Sequence, residues 1–399
     1  MRRKKKNITY IMFIYWILVI LWQTVRPVAN RSVIDTLMKI TLFSVVAFYG
    51  LRHKNGKNTG NIIVVLTLFI MTQVATITLD TLTMGTVITC VFMFAQILIF
   101  LIWMRNETVS YDDIIFFGRS IIRSAMIMAL YSVIFEAGRF MRLFGGGGAY
   151  GNECKSFLYS NHEYALYLMT AIIFAVWFYF LKENRFLKTI FLVGFLGINL
   201  LSTYSRTAII GGICAIAILA FFAGIKEFML IIGIYGTIFT AALVNPTLNR
   251  FVFSKILKDS YAKSGGLVDT GRSSMYMGEW DYFKHGTFTQ MLFGHGYVGN
   301  RAGGHNAYLS ILNTGGIAMF IFFIMVILWG IKNSLDCLKR NRRIGSLLLG
   351  LQVFTLLYMF AQTPILFYST MDSYFITVLF VMLPLYMNNY MRKRQLEEQ

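Results

Sequence analysis

The sequence predicts an all-α polytopic integral membrane protein with about twelve transmembrane helices and one large extracytoplasmic loop. Three observations predict it. Hydrophobic residues make up 57% of the 399 and charged residues only 14%, whereas a soluble chain carries roughly a quarter charged residues. Apolar runs of about 20 residues recur along the chain, the length an α-helix needs to cross hydrocarbon. The runs are continuous rather than alternating, which excludes the strand pattern of a membrane barrel. Helices satisfy every backbone group within the segment, so they are the remaining way to span lipid.

The elements follow in order. Met1-Arg2-Arg3-Lys4-Lys5-Lys6 leads into an apolar run without a small-residue cleavage site, so a first span near 8–25 with a cytoplasmic N-terminus is expected. Spans near 33–51, 61–78 and 82–104 follow, then an inner segment 105–117 with Asp112 and Asp113. The fifth span lies near 118–137 and leads to an outer loop, 138–162, containing the run Gly145 to Gly148. That run lacks the following Lys-Ser/Thr of a phosphate loop and reads as an external flap. Spans six to nine are expected near 163–181, 188–204, 206–224 and 228–244. The large outer segment covers 245–305, and within it residues 250–258 alternate basic and apolar like a surface amphipathic helix. The last three spans are expected near 306–331, 345–361 and 372–390, with a basic loop from Lys332 to Arg343 inside and Arg392-Lys393-Arg394 ending the chain inside. Residues 1–399 therefore read as a single membrane domain with both termini cytoplasmic.

The formal net charge is +19. Basic residues cluster in the short inner loops, as the positive-inside rule requires, so the charge marks topology rather than nucleic acid. The cysteines, Cys90, Cys154, Cys214 and Cys337, are scattered, and only Cys154 falls outside on this topology, so no external disulfide is expected. The span centres are almost free of ionisable residues, which weakens a proton- or ion-coupled transporter.

Chemistry concentrates between Gly271 and Gly316, the long polar segment that holds three of the five histidines: His285, His295 and His305. Arg272 opens it just before an expected helix from Ser273 to about Lys284. Arg206 stands between two apolar spans, in Thr203-Tyr204-Ser205-Arg206-Thr207, with almost no loop around it. Each arginine reads either as a surface or snorkelling charge or as an anion ligand, since a guanidinium grips phosphate oxygens with two parallel bonds and keeps its proton. His305-Asn306 stands where the chain re-enters the membrane. Asn306 suits a helix N-cap, and His305 reads as a capping-turn residue or as a general base, because imidazole titrates near neutrality. His295 in Gly294-His295-Gly296 reads as a turn residue or a saccharide contact, and His285 as plain loop. Asn161-His162-Glu163 stands at the mouth of the sixth span. A metal site is disfavoured: the loop histidines are ten apart, which is no zinc-ligand spacing, and Glu279 and Asp281, two apart on a helix, point to different faces.

Taken in order, Ser205-Arg206-Thr207 between two spans, Gly271-Arg272 with Trp280 downstream, Gly294-His295-Gly296, and His305-Asn306 followed by Leu309 and Gly315-Gly316 resemble the O-antigen polymerase and ligase superfamily of bacterial envelope glycosyltransferases. The segment from Phe157 to Leu166 resembles an Asn-containing stretch of that family, with Ser160 in place of its usual proline. The likeness covers residues 157–330; the first four spans match in hydropathy only. It implies a GT-C-like fold in the bacterial cytoplasmic membrane. It also implies a metal-independent, inverting transfer from undecaprenyl-pyrophosphate-linked saccharides at the outer leaflet, with no cofactor. On that resemblance Arg206 and Arg272 bind the donor pyrophosphate and His305 is the base for the acceptor hydroxyl. Tyr204, Trp280, His295, Asn306 and Asn161 complete the substrate-binding set. Expected partners are the lipid-linked donor and acceptor, membrane lipid, and a chain-length regulator and flippase, with no nucleic acid. A polymerase that joins lipid-linked repeats into capsular or O-antigen-type polysaccharide is expected before a ligase, because Met319 departs from the ligase pattern after Gly316; a polysaccharide flippase comes third.

Overall fold

The structure, a computed structural model, describes residues 109–143, 153–158, 160–245, 272–295, 305–362, 366 and 371–398. Among these residues every regular element is a helix and there is no strand. Five of the described helices are long and apolar enough to cross a membrane. The first four expected spans, the Gly145 to Gly148 run and the amphipathic stretch 250–258 lie outside the described residues.

The described residues fall into two compact units. The first comprises 111–143, 153–158, 160–245 and 337–354; the second comprises 109–110, 272–295, 305–336, 355–362, 366 and 371–398.

In the first unit α1 spans Tyr111–Phe135 and a short α2 spans Ala137–Met141. The expected start of α1 was 118; the helix opens seven residues earlier because Asp112 and Asp113 occupy its first turn, where negative charge meets the positive end of the helix dipole. Helix α3, Asn161–Phe180, is capped by Ser160, whose hydroxyl accepts from the His162 N–H at 3.1 Å. Its sequence is apolar all round, as a helix enclosed by other helices must be, and 89% of its spanning window is buried. Helices α4 (Phe186–Ser202), α5 (Arg206–Ala223) and α6 (Ile225–Val244) follow. In lipid there is no hydrophobic drive between helices, so close approach through small residues carries the packing. Gly212 of α5 is such a point: a Cβ there would run into Met169 of α3. Trp177 of α3 donates its indole N–H to the Arg343 carbonyl at 2.7 Å.

In the second unit α7 spans Arg272–Lys284 and α8 spans Phe288–Phe293. Thr287 and Gln290 form a reciprocal capping box at the start of α8. Helix α9 covers Ala307–Arg340 but breaks at Gly316, where φ is 65°. The expected tenth span is therefore a short leg, 307–315, and a long one, 317–340. Helix α10 covers Arg342–Phe360; its residues 342–354 belong to the first unit and 355–360 to the second. The expected basic loop from Lys332 to Arg343 is helical except at Asn341, whose Oδ1 accepts from the N–H groups of Arg343 and Ile344 and so caps α10. Lys339 and Arg340 suit the last turn of α9, where the dipole favours cations. Helix α11, Met371–Thr377, passes through a π-turn at Val378–Met382 into α12, Leu383–Glu398. Gly330 of α9 packs against this turn: a Cβ there would sit 3.0 Å from the Phe380 carbonyl. Below it, the buried Asn388 donates to Asn333 at 2.8 Å.

Candidate functional site

The sequence-selected residues fall into two corners, one in each unit. The first is the turn between α4 and α5. Thr203 closes α4 by donating its hydroxyl to the Leu200 carbonyl at 2.6 Å, and it accepts from the Ser205 N–H at 3.2 Å. Tyr204 adopts the left-handed conformation, with φ 54°. That reversal lets α5 start at once, with Arg206 as its first residue. The remaining turn carbonyls are taken by the segment that enters α3. Asn161 donates its amide to the Thr203 carbonyl at 2.9 Å, and the Cys154 N–H donates to the Ser202 carbonyl at 3.0 Å. The Ser205 hydroxyl lies 3.4 Å from His162 Nδ1.

Glu136 holds that entering segment in turn. Its carboxylate accepts from the backbone N–H groups of Lys155 and Ser156, from the Ser132 hydroxyl and from Arg139. Burial pushes the Cys154 thiol up, which keeps it protonated and disfavours it as a nucleophile. The half-buried Arg206 thus opens a helix on a turn whose backbone is clamped on both sides. A cation at a helix N-terminus opposes the dipole, and an anion brought to that point relieves both charges.

The second corner is built by α7, the short leg of α9 and the end of α10. On α7 the less exposed residues are Arg272, Tyr276, Glu279 and Phe283, at helical spacings of four, three and four. Arg272 again opens its helix. The Tyr276 hydroxyl, one turn on, donates to the His305 carbonyl at 3.2 Å and reaches the Phe360 carbonyl at 3.4 Å. The Arg272 charge acts on the same hydroxyl and lowers its pKa. His305 is left-handed, with φ 42°. The next residue, Asn306, caps α9: its Oδ1 accepts from the N–H groups of Tyr308 and Leu309 at 3.0 and 3.2 Å. Arg272 and His305, 33 positions apart in sequence, are thereby brought together.

Burial lowers the His305 pKa from its ordinary 6.5, the Arg272 charge lowers it further, and a hydrogen bond with Gln362 opposes both. The net lowering favours the neutral imidazole at pH 7. Burial raises the Tyr276 pKa, so its hydroxyl stays a donor.

The two glycine motifs turn out to be one contact. Gly294 has φ 87°, and a Cβ on it would collide with the Thr314 carbonyl. A Cβ on Gly316 would collide with the Leu292 carbonyl. Backbone thus packs on backbone where α8 ends against the break in α9, a position that only glycine fills. Beside it the His295 N–H donates to the Asn313 carbonyl at 2.7 Å, and Asn313 donates its amide to the Glu279 carbonyl at 3.1 Å. The His295 ring lies over Tyr282 with centroids 4.2 Å apart, and burial lowers its pKa. His295 therefore ties the α7–α8 segment to α9. Trp280 is 44% exposed and stacks on Phe283, with the Lys284 ammonium 5.9 Å from its centroid. His285 bonds back to the Asp281 carbonyl at 2.7 Å, and Asp281 pairs with Lys284 on the exposed side.

Sequence reasoning passed over Tyr276, Gln362, Asn313 and Glu136. Tyr276 was within reach, since it follows Arg272 by one helical turn; the others carry no local signal. Comparison with the sequence patterns of known families gave no match, and comparison with characterised proteins gave none either.

Proposed function

We propose that this chain is a glycosyltransferase of the bacterial cytoplasmic membrane, a polymerase that joins undecaprenyl-pyrophosphate-linked oligosaccharide repeats at the outer leaflet. The observation that carries it is the meeting of Arg272, Tyr276 and His305 at the start of a broken apolar helix. A permanent cation stands there beside an imidazole held neutral, the pair that transfer from a lipid pyrophosphate calls for. The acceptor hydroxyl attacks the anomeric carbon and inverts it, while His305 takes the hydroxyl proton. The bond from the anomeric carbon to the pyrophosphate oxygen breaks. The leaving lipid pyrophosphate needs its charge neutralised more than it needs a proton, and Arg272 supplies that. The resemblance assigns Arg206 to the same anion, on sequence grounds alone. It also brings the GT-C-like fold, the twelve spans, the cytoplasmic termini and the flippase and chain-length partners, all of which belong to this proposal.

The size profile of lipid-linked saccharides in native cells tests it, comparing wild type with Arg272→Ala and with a full deletion. Accumulated single repeats with loss of long chains support a polymerase. Accumulated long lipid-linked chains point instead to a ligase that passes finished glycan to another acceptor. An unchanged profile in the deletion removes the glycosyltransferase reading altogether.

A further inference from the structure

Helix α1 carries two arginines on its exposed face. Its exposed residues form one stripe, Phe116, Arg119, Arg123, Ile127, Leu130 and Ile134, at spacings of three and four. The buried residues Ile114, Ile121, Ala125, Met128 and Ser132 line the opposite side. The two cations are not loop charges. They lie eight and twelve residues past Tyr111, inside a helix apolar enough to cross a membrane.

Twelve residues, about 18 Å of axis, remain between Arg123 and the end of α1 at Phe135. The hydrocarbon layer is roughly 30 Å thick. With Phe135 at one interface, Arg123 stands about 12 Å inside the other. A guanidinium at that depth needs an anion, or a headgroup drawn in by local thinning of the bilayer.

The two arginines differ in how that need is met. Arg119 donates to Glu183 at 2.8 Å, and its guanidinium lies 5.9 Å from the centre of the Phe178 ring, so it is neutralised and held. Arg123, one turn further on, forms no ion pair among the described residues. A shallow groove of about 340 Å³ joins them, lined by Asp112, Ile115, Phe116, Arg119 and Arg123. Arg123 is the cation in excess at its deep end. From there the stripe continues with apolar side chains only, Ile127, Leu130 and Ile134.

We propose that this groove binds an acidic phospholipid of the leaflet at which α1 starts, the cytoplasmic one on the topology proposed above. The phosphate diester, with one negative charge, lies on Arg123 beside the Arg119–Glu183 pair, since a guanidinium grips phosphate oxygens with two parallel bonds. The acyl chains follow Ile127, Leu130 and Ile134, and the headgroup hydroxyls reach Asp112 at the rim. A soluble phosphate matches the arginine but leaves the apolar half of the stripe uncovered. The site does not depend on the glycosyl-transfer reading.

The test uses the full chain in nanodiscs with phosphatidylglycerol that carries a photoactivatable group on one acyl chain, and cross-linked peptides are mapped by mass spectrometry. Equally labelled phosphatidylethanolamine at the same mole fraction is the comparison. Wild type is expected to cross-link phosphatidylglycerol within 123–135 in preference to phosphatidylethanolamine. Arg123→Gln is expected to lower that labelling about tenfold, as loss of a charged hydrogen bond does. Lys188→Gln removes an exposed cation outside the groove and is expected to leave the labelling unchanged. Equal labelling by the two lipids overturns the proposal, and that comparison decides alone where Arg123→Gln does not reconstitute. Unchanged labelling in Arg123→Gln, or an equal loss in Lys188→Gln, reduces the effect to a general attraction of basic surface and overturns it too. Labelling abolished by excess inorganic phosphate assigns the groove to a soluble anion instead of a lipid.

Discussion

The corner at Arg206 and the corner at Arg272 use one local device and fix it in different ways. Each starts a helix with an arginine, and each contains a left-handed residue at a helix start, Tyr204 in one and His305 in the other. At Arg206 the turn is fixed by main-chain carbonyls that accept from Asn161 and Cys154. At Arg272 it is fixed by a tyrosine hydroxyl, and the cluster holds a histidine whose pKa burial and the Arg272 charge lower. Under the proposed function the second corner supplies the base and a cation, and the first binds the anion.

Four measurements break or sharpen that contrast. In chain-extension assays on reconstituted protein, His305→Ala is expected to lower kcat by about 10²–10⁴-fold, the usual contribution of a general base, with KM unchanged. Arg206→Ala is expected to raise the donor KM by roughly 10–100-fold, since charged hydrogen bonds contribute about 1.5–3 kcal/mol; a loss in kcat alone would erase the distinction between the corners. Gly316→Ala forces a side chain into a left-handed position against the Leu292 carbonyl and is expected to destabilise the fold by about 1–3 kcal/mol, read as a lowered melting temperature of the purified protein. Asn306→Ala removes the cap of α9 and is expected to cost about 1 kcal/mol on the same measurement.

The pH dependence follows from the same cluster. The folded His305 pKa lies below 6.5. A base acts when neutral, so the rate is full above that value and is lost as pH falls through the folded pKa. The unfolded chain takes up the proton first, so the stability that neutral His305 contributes is present above 6.5 and declines as pH falls below it. Arg272→Gln removes a neighbouring cation and is expected to move the His305 titration upward, which nuclear magnetic resonance of the imidazole reads without any need for activity.

Much of the helical layout was legible. Long apolar runs, Asn306 as a cap and glycines near the re-entry point are local signals, and helices α3 to α6 fall within three residues of their expected bounds. Two features carried no local signal, for identifiable reasons. The break of α9 at Gly316 was invisible because an apolar run shows no period change where a single residue turns left-handed. The inward face of α7 was invisible because its stripe is Arg, Tyr, Glu and Phe, so polarity does not separate the less exposed side from the more exposed one. His295 was weighed as a turn residue or a saccharide contact; its backbone link to Asn313 and its packing on Tyr282 join α7, α8 and α9.

By itself the sequence determined that these segments are helices, because a backbone in hydrocarbon has no other local way to satisfy its N–H and C=O groups. It also determined which residue types could carry the chemistry, since guanidinium and imidazole charge states are properties of the groups. Only the tertiary structure decided that Arg272 meets His305 and that Gly294 and Gly316 form one contact. Those are encounters between positions 33 and 22 apart in the chain. They depend on where a helix breaks and which of its faces a neighbour covers, and hydrophobic pattern does not encode either.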